Sequence, residues 1–135
     1  MPTEVYLSLG SNLDDPKQQV KTAFTELSQL PETQLIKQSS LWSSQPLGPQ
    51  DQPDFINAAA LITTQLEPLA LLDQLQALEK KHQRVKTRHW GERTLDLDII
   101  CYGELIMHTS RLTLPHPEAQ QRAFVLLPVQ EINPQ

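Results

Sequence analysis

Cysteine is nearly missing: Cys101 stands alone, so no intramolecular disulfide can form. It lies in an apolar run and reads as an inert core thiol. The chain has four glycines, and none falls in a P-loop or in the glycine pattern of a dinucleotide-binding turn. Its four histidines have no zinc-ligand spacing to one another or to the cysteine. No window approaches the roughly 18 apolar residues of a membrane span. The start lacks the basic residues and long apolar stretch of a secretory signal, so a reducing cytoplasm is expected, with no membrane partner. Internal repeats and low-complexity tracts are absent. Aromatic residues make up 5% and net charge is −5, which argues against RNA or duplex DNA as a partner.

The 135 residues suit one domain, taken as 1–135. Apolar residues at 39% and charged residues at 20% favour a folded chain. Eleven prolines, most between Pro31 and Pro68 or after Pro115, point to irregular but ordered loops. Positive charge is concentrated in Lys80, Lys81, Arg84, Lys86, Arg88 and Arg93. In an acidic protein such a segment reads as a local anion site.

Val5 to Leu9 reads as a buried strand, broken into a turn at Gly10-Ser11-Asn12. Asp15-Pro16 opens a helix with Gln18 placed for a capping box. Val20, Phe24, Leu27 and Leu30 give that helix its apolar stripe. Gln34 to Trp42 and Phe55 to Thr64 read as strands, separated by the proline-rich loop 43–54. A two-residue period puts Phe55, Asn57, Ala59 and Leu61 on one face. A second helix starts at Pro68 and ends between Glu79 and Gln83. The polar loop 84–94 leads into a strand over Leu95 to Tyr102. Glu104 to Leu114 suits a small ribbon, Pro115-His116-Pro117 a turn or short helix, and Phe124 to Val129 a last strand. The order is βαββαβ, which predicts an α+β, ferredoxin-like core with an antiparallel sheet, helices on one face and extra C-terminal elements.

Asp96 and Asp98 interrupt an otherwise apolar run, LDLDII. On a strand they point to one face, roughly 7 Å apart. Two carboxylates there repel and resist burial unless a cation compensates. Mg²⁺ accepts one or two carboxylates plus phosphate oxygens. An edge strand with its carboxylates in water fits the same pattern. The preceding Arg84, Lys86, Arg88 and Arg93 add donors suited to phosphate, though a charge run alone also describes a solvated face. Trp90 in that loop serves either as a packing anchor or as a cover over a bound ring. Phe55 and Asn57 pair a ring with an amide, as a heterocycle site or as core; Phe124 is a second ring with the same two readings. His82 and His108 read as surface residues.

The stretch His89-Trp90-Gly91-Glu92-Arg93-Thr94-Leu95-Asp96-Leu97-Asp98-Ile99-Ile100 resembles the signature of the 6-hydroxymethyl-7,8-dihydropterin pyrophosphokinases of folate biosynthesis. LGSN near the start, QPLGPQDQPDFINAA, the Glu79–Arg84 region and LPHPEAQQRAFVLLP agree in order, so the likeness spans nearly the whole chain. It implies transfer of pyrophosphate from ATP to the pterin hydroxymethyl group, with two Mg²⁺ ions bridged by Asp96 and Asp98. It implies Phe55 and Phe124 around the pterin, Asn57 and the backbone near Ser44 and Leu47 at its edge, and Gly10 packed beside it. Gln76, Glu79, Arg84, Lys86, Trp90, Arg93, Ile99, Arg111, Thr113, His116 and Arg122 match positions that contact ATP or its phosphates; Trp90 also matches a residue that swings in toward the pterin. Arg84 and Arg93 join the acidic pair as catalytic residues, and a monomer is expected.

Several positions depart from that pattern. Phe55 replaces a common tyrosine, Lys86 an arginine in some members, and His89 a frequent arginine. The basic loop is about one residue shorter than in some relatives, and the chain ends at Gln135 where relatives continue. The rival readings are a metal-dependent phosphoesterase or nucleotidyltransferase with the same acidic pair, and a non-catalytic binding module. Loops 43–54 and 84–94 are expected to close over substrate and exclude water.

Overall fold

Residues 2–13, 15–45, 54–82 and 94–133 are described by the computed structural model. Strand β1 spans Thr3–Ser11 and helix α1 Pro16–Leu27. Strands β2 (Thr33–Gln38), β3 (Trp42–Ser44) and β4 (Phe55–Thr64) follow, then helix α2 (Pro68–His82) and strand β5 (Asp96–Tyr102). Strands β6 (Met107–His108) and β7 (Thr113–Leu114) form a ribbon; a 3₁₀ turn at Ala119–Gln121 leads to helix α3 (Ala123–Ile132).

The main sheet is antiparallel in the order β2–β4–β1–β5. β2 and β3 lie along the same side of β4, β2 beside its C-terminal half and β3 beside Phe55, Ile56 and Asn57. This is an α+β architecture. Alternation sorts the strands into two faces. Val5, Leu7 and Leu9, with Ala58, Ala60, Ile62, Leu97 and Ile99, are buried against Val20, Phe24 and Leu27 of α1 and Leu71 and Leu75 of α2. Each buried leucine there contributes about 1.5–3 kcal/mol. The other face carries Tyr6, Ser8 and Gly10 of β1, and Phe55, Asn57, Ala59 and Leu61 of β4. Asp96 and Asp98 lie on the same face, through their pairing with Gly10 and Ser8. Helix α3 covers part of it, with Val129 and Ile132 packed on Ala59, Leu61 and Tyr6.

Five local expectations are corrected. Phe124 to Val129 is helical, not a strand. Its β-favouring residues yield to burial of Val125, Pro128 and Ile132 at helical spacing, which offsets the roughly 3 kcal/mol that an interior proline costs a helix. Helices α1 and α2 pack on one face of the sheet, and α3 lies on the other. The second strand is split, and Trp42 belongs to β3. β1 continues through Gly10 to Ser11 because both keep their register partners on β4. Asp15 sits at the helix start but makes no side-chain cap, its backbone being left-handed at φ 61°, and Gln18 instead donates to Thr22 Oγ1 at 3.1 Å. Among the described residues no helix is long and apolar enough to cross a membrane.

The fifth correction is His82, which is buried rather than on the surface. Its ring nitrogens lie 2.5 Å from Gln19 Oε1 on one side and 2.5 Å from Glu26 Oε1 on the other. Lys81 Nζ reaches the second Glu26 oxygen at 3.0 Å. The signal was non-local, because both ring partners lie on α1. Burial alone would raise the Glu26 carboxyl, but bonds from His82 and Lys81 and their charges hold it below the ordinary glutamate value. A lowered folded-state value stabilises above the unfolded value of 4.5 and is lost as pH falls through the lowered one. Glu26→Gln is therefore expected to cost about 1–2 kcal/mol in urea unfolding at pH 7. The gap to wild type should narrow below pH 4.5.

Candidate active site

Gly10 is the bare centre of the far face. Its register partners are Asn57 on β4 and Asp96 on β5. Two strand spacings put the Asn57 and Asp96 backbones about 10 Å apart with no side chain between them. A Cβ built on Gly10 would lie 3.4 Å from Asn57 Oδ1 and 3.8 Å from Phe55 Cδ1. Asn57 is almost fully buried, and its Nδ2 donates to Ser44 Oγ at 2.6 Å. Phe55 pairs with Ser44 across β3 and is half-buried. An amide, a ring and a hydroxyl thus meet beside the glycine.

On the other side of Gly10 the β5 edge opens into a cleft of about 380 Å³ between α2 and the β6–β7 ribbon. Gln76, Glu79, Asp96, Asp98, Ile99, Arg111, Thr113 and His116 all line it, so eight positions from distant parts of the chain converge there. Glu79 Oε2 accepts the Leu97 backbone N–H at 2.8 Å, capping the free strand edge. Burial pushes the Glu79 carboxyl up to about 7, against that bond and with help from the charges of Asp96 and Asp98. Burial also pushes Asp98 up to about 7, reinforced by Asp96 and opposed by Arg122. The site crowds carboxylates together, and either protonation or a bound cation relieves that charge.

A bulge in the β1–β5 pairing, opposite Tyr6 and Leu7, frees the Ile100 carbonyl to accept the His116 N–H at 2.8 Å. His116 Nδ1 accepts the Glu118 N–H at 3.2 Å, leaving Nε2 as the donor when the ring is neutral. Burial and the Arg122 charge lower its pKa below the ordinary histidine value, so neutrality is favoured. Arg111 is held by Asp73 at 2.6 Å and Gln76 at 3.1 Å. Arg122 donates to Glu118 Oε1 at 2.7 Å and lies 5.7 Å from the Phe124 ring centre. Sequence reasoning missed Asp73, whose partner Arg111 comes close only by folding, and Glu118, which holds Arg122 four residues on.

Leu47, Arg84, Lys86, Arg88, His89, Trp90 and Arg93 lie outside the described residues, as do most of loops 43–54 and 84–94.

A family profile described as 7,8-dihydro-6-hydroxymethylpterin-pyrophosphokinase (HPPK) matches residues 6–134. The chain belongs to this pyrophosphokinase family. It is 53% identical over 127 residues to the 2-amino-4-hydroxy-6-hydroxymethyldihydropteridine pyrophosphokinase of Haemophilus influenzae, covering 94% of this chain and 79% of that one. The Pseudomonas aeruginosa protein of the same name is 48% identical over 134 residues, covering 99% and 83%. A Lactococcus lactis protein named bifunctional protein FolKE is 41% identical over 127 residues, 94% of this chain and 36% of its own length.

The donor chemistry of this pyrophosphokinase suits a divalent cation. Among the described residues no group of three or more His, Cys, Asp or Glu is arranged as a metal cage. Two carboxylates at one end of a cleft, with room for phosphate oxygens and water, are what Mg²⁺ takes in nucleotide sites.

Proposed function

We propose that the chain transfers the β,γ-pyrophosphoryl group of ATP to 6-hydroxymethyl-7,8-dihydropterin, giving AMP and the pterin diphosphate, a step of folate biosynthesis. Family membership supports the reaction. The observation that carries its placement is the Asn57–Gly10–Asp96 row, which sets the heterocycle groups and the acidic pair on one face of one sheet. We read the architecture as ferredoxin-like, supported by the β2–β4–β1–β5 order, with β3, the ribbon and α3 as additions, all within one domain acting as a monomer in the cytoplasm.

Phe55 and Phe124 sandwich the pterin. Asn57, with the backbone near Ser44 and Leu47, matches its polar edge, and Gly10 leaves room for it. Gln76, Glu79, Ile99, Arg111, Thr113 and His116 receive ATP in the cleft, with Arg84, Lys86, Trp90, Arg93 and Arg122 around its phosphates. Asp96 and Asp98 hold Mg²⁺, two ions by the resemblance, which supplies charge neutralisation and polarisation of the phosphates when bound. The hydroxymethyl oxygen attacks the β-phosphorus in line. The new oxygen–phosphorus bond forms as the bond to the α-phosphate oxygen breaks; AMP leaves with that electron pair, and the hydroxyl proton is released to solvent. Arg84 and Arg93 offset the charge on the moving group, and His116 Nε2–H adds a neutral donor. No matched residue stands out as a general base, so positioning does most of the work.

Mass analysis of a reaction containing MgATP and the hydroxymethyl pterin tests this. Equal amounts of AMP and pterin diphosphate are expected. ADP or free pyrophosphate as the product would assign the site to the phosphoesterase or nucleotidyltransferase class.

A further inference from the structure

We propose that Glu131 is a positioning residue for the pterin end of the site, acting through Ser40 and Trp42; this rests on the functional reading above. Glu131 lies in the last turn of α3. Its Oε1 accepts from Ser40 Oγ at 2.7 Å and from Trp42 Nε1 at 2.8 Å. Its Oε2 accepts the Ser40 backbone N–H at 2.9 Å. The Ser40 bonds and the Trp42 indole hold this exposed carboxyl below its ordinary value. A single surface ion pair stabilises little. Three directional bonds from one short segment instead define where the helix end sits.

The latch joins two halves of the site. Trp42 is the register partner of Asn57, and Ser44 that of Phe55. Ser44 also accepts the Asn57 amide. On the helix side, Phe124 precedes Glu131 by seven residues, two turns on one face and about 10 Å along the axis. Otherwise the helix end rests on the sheet through Val129 and Ile132 against Ala59, Leu61 and Tyr6. Apolar contact is non-directional and constrains the rotation of this short helix less sharply than hydrogen bonds do. The Glu131 bonds set it, and thereby the distance between Phe124 and the Phe55–Asn57 pair.

The bonds also predict how substitutes behave. A glutamine at 131 can keep its oxygen on Ser40 Oγ and Trp42 Nε1, but its NH₂ then faces the Ser40 N–H, donor against donor. Steady-state kinetics on Glu131→Ala, Glu131→Gln and Trp42→Phe test the inference, with both KM values and pterin Kd from its own fluorescence. Thr33→Ala, which breaks the 2.8 Å Thr33–Thr64 hydroxyl pair at the far end of the sheet, is the stability control. Glu131→Ala is expected to raise pterin KM and Kd about tenfold, with ATP KM within about twofold of wild type. Glu131→Gln and Trp42→Phe should fall between. Pterin constants unchanged in Glu131→Ala while wild type binds normally would overturn the inference alone. So would a parallel rise in both KM values that Thr33→Ala reproduces. Wild type that neither binds the pterin nor forms AMP overturns the functional reading and this inference with it.

Discussion

Asp98→Ala is expected to lower turnover with MgATP by about 1,000-fold or more, because the charge centre opposite the triphosphate is removed. Asp98 faces the cleft beside Asp96, and its carboxyl is pushed up to about 7 by burial and by that neighbour. The expected stability effect runs the other way. A carboxylate with a raised folded-state value stabilises below its unfolded value and loses that contribution as pH rises through about 7. In metal-free protein at pH 8, Asp98→Asn should therefore melt a few degrees above wild type. At pH 5 the gap should shrink. Thermal melts in a chelator, paired with an AMP assay, read both effects. A variant that keeps wild-type turnover would remove Asp98 from the metal site.

Asn57→Ala is expected to lower kcat/KM for the pterin by about 100-fold, while the KM for ATP stays within about twofold. The amide is almost fully buried between Ser44 and the Gly10 floor, so its loss strands polar groups on the substrate and the Ser44 hydroxyl together. Apolar contacts with Phe55 and Phe124 would remain, and they discriminate weakly among rings of similar size. Kinetics with the pterin varied at saturating MgATP check this. Equal losses for both substrates would mean that Asn57 supports the sheet rather than reads the ring.

Much of this was legible along the chain. Asp96-Leu97-Asp98 in an apolar run is a frustrated sequence, and burial beside it pushes the carboxyls of Asp98 and of Glu79 toward neutrality. The two-residue alternation of Phe55, Asn57, Ala59 and Leu61 correctly placed the ring and amide on one face, because that period needs no partner to be read. α3 was misread because its stripe of Val125, Pro128 and Ile132 is short and a proline interrupts it. His82 was misread because a polar residue looks solvated until Gln19 and Glu26 arrive from another helix.

Composition, period and motif determined what this chain can do: take an α+β fold, place two carboxylates on one strand face, and belong to a pyrophosphokinase family. The strand face and the signature around it are local, set by residues within a few positions of each other. The tertiary structure alone decided that Gly10 lies between Asn57 and Asp96, that Arg111 meets Asp73, and that Glu131 fastens α3 to Ser40 and Trp42. Sheet register and helix docking are set by burial summed over the whole core, and no segment carries that sum within itself.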